Sequence, residues 1–598
     1  MSPRWTSYLL ASLLISCFLS FGFNYRELFI SPKVFENFHP EFSDEKASDE
    51  IGISLPLHPE RHISRAPTTV KLHWEITQGR RSPDGVSKLI YLINGLFPGP
   101  TIEARSGDTI KVEVHNLLED EGVAIHWHGI HMKGANRMDG AVGITQNPIQ
   151  PGGNTTYEFE IENNQAGTFW YHSHLGTQRA DGLYGGLIIH HPFTDSVYKT
   201  KAPGYKEESL LLVGDWYHRS AEEVQASYVN HDSWGREPVP DSLLINGMGA
   251  FNCSKAVQSR PLDCTQSSNP ILVLDQPRTR LRVVNVGAIS GFVLKMPHCY
   301  ITIVEIDGGN KIERSPEVSS VGILYPGERM DLVVECSVGS EAAGSHLSIT
   351  LDAENFAIQN KALTLTHTFL ISTTANVLTK RGHPYLPPEI VKGEGYFDLA
   401  EVKGTALPDN SFPMIANQTI LLYTKMEILA RLGNVPVGFI NRTTWSAQSS
   451  PLKPLVDLDR EDWDKNQLVP WIPISRDQSS PTWVDIVVNN LDEKGHPFHL
   501  HGYDFYVLSQ YYPTRRGYHA YNPFDPSTPP TSSDLPGGPY NLANPPMKDT
   551  VYIPSQGYVV LRIRADNVGI WLFHCHILWH SGTGMVMALE VGYDDGWE

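Results

Sequence analysis

From Thr69 onward, apolar and polar positions alternate in short runs such as Val70 to Ile76 and Thr109 to Val114, separated by Pro-Gly and Asp-Gly turn signals. Few long stretches carry a helical period. The pattern predicts an all-β chain of several sandwich or barrel domains. Ahead of it stand Arg4, an apolar run from Tyr8 to Phe23, and polar sequence from Asn24. The run is short for a bilayer span and Ser20-Phe21-Gly22 offers small residues for cleavage, so residues 1–22 are expected to be a secretory signal. Residues 23–66 are polar without clear periodicity and are expected to form an N-terminal arm.

A weak repeat divides the remainder. Strands running from Thr109 to Asn116, Thr279 to Asn285 and Val484 to Asn490 each mix charged and apolar residues and end on Asn. A histidine cluster follows the first and third copies but not the second. Three homologous β domains are predicted, at 67–195, 196–380 and 415–598, with 381–414 as a Pro/Gly-containing linker, and the outer two carry the chemistry.

The 598 residues carry 47 Lys+Arg against 66 Asp+Glu, a formal charge of -19, without a clustered basic patch. That argues against a nucleic-acid partner. Of six cysteines, Cys17 lies in the signal and Cys575 in a histidine motif. Cys253, Cys264, Cys299 and Cys336 suit two disulfides in an oxidising compartment. Three pairings are open, and proximity favours Cys253 with Cys264 and Cys299 with Cys336. Sequons at Asn154, Asn252, Asn417 and Asn441 fit secretion.

The histidines change the picture most. Four His-x-His pairs occur, His126/His128, His172/His174, His499/His501 and His574/His576, where independent placement of 25 His would give about one. On a strand, residues i and i+2 share a face, so each pair presents two imidazoles side by side. His496 precedes the third pair, while the fourth brackets Cys575 and is followed by His580 and Met585. Two His, a Cys thiolate and a weak axial Met form the ligand set of a blue-copper site. Zinc is the second choice, but the usual closed-site spacings are absent. Aligning Trp170-Tyr-His172-Ser173-His174 with Leu572-Phe-His574-Cys575-His576 puts Ser173 where the third domain has its thiolate, so the first domain lacks such a centre.

His126-Trp-His-Gly129, His172-Ser-His174, His496-Pro-Phe-His-Leu-His-Gly502 and the run from His574 to Met585 resemble the four signature motifs of the multicopper oxidases. Asn94-Gly-Leu-Phe-Pro-Gly-Pro-Thr-Ile102 and Leu244-Ile-Asn-Gly247 resemble their domain openings, and the wording around Asp181-Gly-Leu-Tyr184 is similar to ascomycete laccases and laccase-like pigment or secondary-metabolite oxidases. The resemblance spans about 69–593 and implies three cupredoxin-like Greek-key domains holding four copper ions. It makes His496, Cys575 and His580 the type 1 ligands with Met585 axial, and His126 and His499 the type 2 ligands. The type 3 pair takes His128, His172 and His576 on one ion and His174, His501 and His574 on the other.

The activity implied is one-electron oxidation of a small aromatic or enediol donor at the type 1 copper, with O2 reduced to water at the other three. Cys575 links the centres through its neighbours, and His580 resembles the ligand whose ring edge faces the donor. Asp139 resembles a carboxylate that hydrogen-bonds near the type 2 copper and assists proton delivery; Asp139-Gly140 is also a plain turn signal. Met585 stands where many fungal laccases carry Leu or Phe, which implies a lower potential. Leu578 stands where many relatives carry Asp or Glu, which puts part of the proton relay in doubt. The expectation is a secreted monomer without a stable membrane anchor. A ferroxidase and a non-catalytic copper-binding repeat protein are the alternatives. The donor pocket is expected within 415–450 and 510–547, and His131, His298 and His519 are expected to be structural.

Overall fold

The computed structural model describes residues 52–192 and 204–593, except 206, 258–259, 275, 277, 337–344, 373–394, 409–411, 477–480 and 514–538. The signal segment, His519 and most of the second pocket loop lie outside these residues. Six sheets fall into three pairs along the chain. The first block pairs a sheet of Lys88–Ile93, Thr69–Arg81, Thr109–Asn116 and Asn154–Glu160 with one of Gly99–Arg105, Tyr184–His190, Gly167–Ser173 and Ile125–His128. The second and third blocks repeat the arrangement with seven- and six-stranded, then six- and five-stranded sheets. The all-β expectation holds.

The sequence repeat is a repeat of topology. In each block the strand ending on Asn lies parallel to the block's opening strand: Thr69–Arg81 with Thr109–Asn116, Glu207–Trp216 with Arg278–Asn285, and Gln418–Ile428 with Thr482–Asn490. The terminal Asn closes the loop that follows. Asn116 Nδ2 donates to the Glu121 and Ile149 carbonyls, Asn285 Nδ2 to those of Ser290 and Leu324, and Asn490 Nδ2 to those of Lys494 and Pro554, at 2.8–3.0 Å. Each Oδ1 accepts the N–H two residues on. A buried side chain that satisfies three backbone groups is the reason Asn recurs there.

A second threefold device is the opening hairpin, where Asn94, Asn246 and Asn441 adopt left-handed backbone (φ 52°, 50° and 50°) and bridge the neighbouring strand. Asn441 heads a sequon, yet its amide already donates to the Leu421 carbonyl.

Two stretches differ from expectation. The arm is docked from residue 52: Leu55–Pro56 pairs with Glu207–Trp216, and Ile53 and Leu57 are buried. Their alternation, Ile53, Leu55, Leu57, was the signal within otherwise polar sequence. Within the stretch expected as linker, Tyr396–Asp398 adds a parallel strand to Ser320–Leu324 of the second block. Disulfides join Cys253 to Cys264 and Cys299 to Cys336, the latter pair directly opposite on adjacent strands.

One continuous apolar cluster runs from Ile125, Trp127 and Phe169 of the first block to Phe498, Trp571 and Phe573 of the third. At about 1.5–3 kcal/mol for each large side chain buried, it binds the two histidine-bearing blocks together. His131 adds a polar tie across the same seam, with Nδ1 at 2.9 Å from Glu162 and Nε2 at 3.3 Å from Asp504.

Asn490→Ala should cost about 2–3 kcal/mol by stranding two carbonyls and an N–H, read as a lowered unfolding midpoint. Burial lowers the His131 pKa, but Asp504 and Glu162 more than offset this and lift it from 6.5 to about 10. Its ion pairs therefore contribute fully below pH 6.5, and that contribution is lost as the pH climbs towards 10. Melting curves at pH 6, 8 and 10 should show this loss, and His131→Gln should flatten it.

Candidate metal centre

The His-x-His pairs sit on strands that face each other. Ile125–His128 lies antiparallel to Gly167–Ser173 with His126 directly opposite His172, and His496–Leu500 lies antiparallel to Gly569–Cys575 with His499 opposite His574. Cross-strand partners lie about 4.5–5.5 Å apart at Cβ, so each block brings its two pairs together. The blocks then interleave: His126 stacks on His501 and His128 on His499, each with ring centroids 3.7 Å apart.

Three groups of ligand atoms result, each within 4.8 Å: His126, His499 and His501; His126, His128 and His172; His174, His501 and His574.

 His576 completes the set, its ring centroid 5.0 Å from that of His128, 5.6 Å from His172 and 5.7 Å from His574.

The second nitrogen of most rings is held by the protein. Nδ1–H of His126, His172, His499 and His574 donates to the carbonyls of Asp139, Ser173, Asp549 and Cys575 at 2.8–2.9 Å. Nε2 of His126, His172 and His499 is left buried without a hydrogen-bond partner. His128 is reversed: its Nε2–H donates to Thr550 Oγ1 at 3.1 Å, and Nδ1 is the unpartnered atom. Thr550 passes its own hydrogen to Asp549 Oδ1 at 2.8 Å, and Arg329 of the second block grips both Asp549 oxygens at 2.5 Å. Orphaned buried nitrogens are costly unless something coordinates them, so this donor set fits metal ions. Burial first, then the charges of neighbouring groups, holds His128, His172, His501, His574 and His576 well below the usual histidine range, and His174 at about 3. Neutral imidazole is the ligand form.

Asp139 is fully buried; its Oδ2 lies 2.8 Å from His501 Nδ1 while its carbonyl holds His126. It is both the turn residue and the carboxylate at the cluster, with Gly140 after it at φ 83°. Ser173 is engaged elsewhere, donating to Gln178.

His496, Cys575 and His580 form a separate buried group. The two Nδ1 atoms lie 3.1 Å apart and 3.8 and 3.7 Å from Sγ. Burial pushes the Cys575 thiol up, but His496 and His580 more than offset it and bring it from 9.0 to about 7. The strand Gly569–Cys575 delivers Cys575, the short helix Leu578–Ser581 turns His580 back, and buried Met585 is tied by its carbonyl to Cys575 N–H. Leu578 is buried, so no carboxyl group stands at that position.

Sequence reasoning missed several residues around these groups. Asp492 Oδ2 lies 2.9 Å from His496 Nε2, and Glu237 Oε1 lies 3.7 Å from His580 Nε2. Arg179 places a guanidinium nitrogen 2.7 Å from His576 Nδ1 and donates to the His576 carbonyl at 3.0 Å. Asp549, Thr550 and Arg329 belong to the same group. Asp492 stands four residues before His496 and is the one local contact among these; the others carry no spacing signal, because each reaches its histidine through the fold.

Three family models described as multicopper oxidase match residues 75–193, 207–343 and 454–595. Laccase-1 of Cryptococcus neoformans var. grubii is 32% identical over 572 residues, covering 91% of this chain and 84% of that protein. Among solved structures, Fet3p, a multicopper oxidase that functions in iron import, superposes with a TM-score of 0.68 at 25% identity, covering 88% of this chain and 90% of its own. The laccase from Botrytis aclada gives 0.66 at 26% identity, covering 88% of each. The three-block architecture described above matches the three-domain cupredoxin fold of these structures.

Thr550→Val removes the acceptor that fixes the His128 tautomer. Metal content or O2 turnover should fall about 10–100-fold, as for loss of other groups that orient metal-bound histidines, while the absorption of the Cys575 centre persists; elemental analysis and visible spectra read the two separately.

Proposed function

This chain belongs to the multicopper oxidase family, and from that membership we propose a laccase-like oxidase of small phenolic or enediol donors. It is a copper oxidoreductase that uses O2, and its histidine clusters suit type 1, type 2 and type 3 copper. When bound, copper would supply one-electron acceptance at the first and the reduction of O2 to water at the others. The assignments proposed are those of the motifs: His496, Cys575 and His580, together with Met585, would hold the type 1 ion; His126 and His499 the type 2 ion; His128, His172 and His576, then His174, His501 and His574, the type 3 pair.

The observation that carries the donor class is a cleft of about 450 Å³ against His496. Tyr228, Phe356, Met426, Ile428 and Pro436 give it apolar and aromatic walls, and Glu237 stands between it and His580. Such walls suit a flat organic ring. Burial raises the Glu237 pKa, but His580 and Lys494 more than offset it and bring it to about 2. Glu237 is therefore ionised at working pH and can accept a hydrogen bond from a donor hydroxyl. A phenol that loses an electron becomes a strong acid, and Glu237 is placed to take its proton.

A ferroxidase would need carboxylates free for a dication. Of the four carboxylates that line the cleft, Glu237 lies 2.6 Å from Lys494 Nζ, Asp492 is committed to His496 and the Met426 N–H, and Glu427 pairs with Lys425 at 2.9 Å, while Glu493 stands beside them. Those pairings favour the organic donor. The Asp139 carboxylate, on His501, is proposed to carry protons towards the O2-reducing cluster, and a thioether from Met585 favours easily oxidised donors. The two disulfides fit secretion.

Glu237→Gln should lower kcat/KM for a phenol about 100-fold without loss of copper, measured by steady-state O2 uptake. Faster oxidation of Fe(II) than of any phenol or enediol by the unaltered enzyme would sink the reading.

A further inference from the structure

A second group of potential ligands lies on the first block, away from the copper ligands. Gly99–Arg105 runs parallel to Tyr184–His190, with Glu103 opposite Ile188 and Arg105 opposite His190. Glu103 and His190 are thus diagonal neighbours on one face, and His190 Nε2 lies 2.8 Å from Glu103 Oε2. The same strand meets the copper ligands at its other end, where Tyr184 pairs with His172. Six residues of strand separate the two places by roughly 20 Å.

The docked arm brings the third residue. After the turn Pro59–Arg61, the His62 ring stacks on His190 with centroids 5.3 Å apart and planes 22° apart. The His58 N–H donates to Glu103 at 2.8 Å and holds the arm in place. One ligand atom from each of His62, Glu103 and His190 lies within 4.8 Å of the others.

We propose that His62, Glu103 and His190 form a further metal site that takes a borderline divalent ion, Zn(II) or Cu(II), and clamps the arm to the first block. Two imidazoles and one carboxylate are a donor set such ions accept, with a fourth position open to water. The clamp has structural leverage, because Ile53 to Leu57 of the same arm docks on the second block through Leu55–Pro56. A metal here ties two blocks through one short segment.

Arg65 is the competing contact. Its guanidinium lies 3.2 Å from His62 Nδ1 but is bound and neutralised by both Asp108 oxygens at 2.7 and 2.5 Å. Coordination through the other His62 nitrogen puts the ring proton on Nδ1 and costs only this longer contact, so the site binds more weakly than a closed structural zinc site.

The test uses copper-loaded holoenzyme incubated with zinc chloride and desalted, followed by elemental analysis and timed trypsin digestion. One zinc per chain should be retained, and cleavage after Arg61 and Arg65 should slow about tenfold, as expected when binding suppresses local opening. His62→Ala, in the half-buried arm, and Glu103→Gln should each lose both effects while copper at the four catalytic positions and phenol oxidation are unchanged. A fifth copper that His62→Ala removes would identify the same site occupied by Cu(II). No retained metal beyond the four coppers, or equal retention in His62→Ala, overturns the proposal.

Discussion

The structure turns on keeping eight imidazoles neutral, dry and aimed at common points. A buried nitrogen without a partner costs about 1–3 kcal/mol, and several such atoms meet here. The protein manages this by binding the opposite nitrogen of most of the rings to a carbonyl, a hydroxyl or a carboxylate, which fixes the tautomer before any ion arrives. His126, His172, His499 and His574 use main-chain carbonyls, while His128 uses the Thr550 hydroxyl and so presents the other edge.

That requirement explains the middle block, which holds none of the motif histidines. Its Arg329 is fully buried and clamps Asp549, the acceptor behind Thr550. Gly327 lies against the His576 ring, where a Cβ would come within 3.0 Å. The Ala288 carbonyl accepts from Leu578 N–H at the start of the helix that turns His580 inward, and Glu237 faces His580 itself. The block is a scaffold for the third block's ligand segment and one wall of the donor cleft.

Much of this was legible along the chain. Period-two alternation marked the strands because each sheet has one face on a core, and the recurring Asn marked loop closures that all three blocks need. His-x-His marked ligands because strand neighbours two apart share a face, and pairing His126 with His172 and His499 with His574 completed what the spacing implied. The arm at Ile53 to Leu57 and the strand Tyr396–Asp398 were not assigned because two or three residues of alternation are too few to stand out from loop sequence.

The sequence by itself determined the kinds of ligand, their grouping in the first and third blocks and the adjacency of Cys575 to His574 and His576, since local backbone geometry converts those spacings directly into shared faces. Only the tertiary structure decided which nitrogen each ring offers, which block supports which histidine, and which carboxylate stands at the donor cleft. Glu237 and His580 are more than 300 residues apart in the chain, as are Asp139 and His501. Contacts of that range arise from how blocks pack, and no local periodicity encodes them.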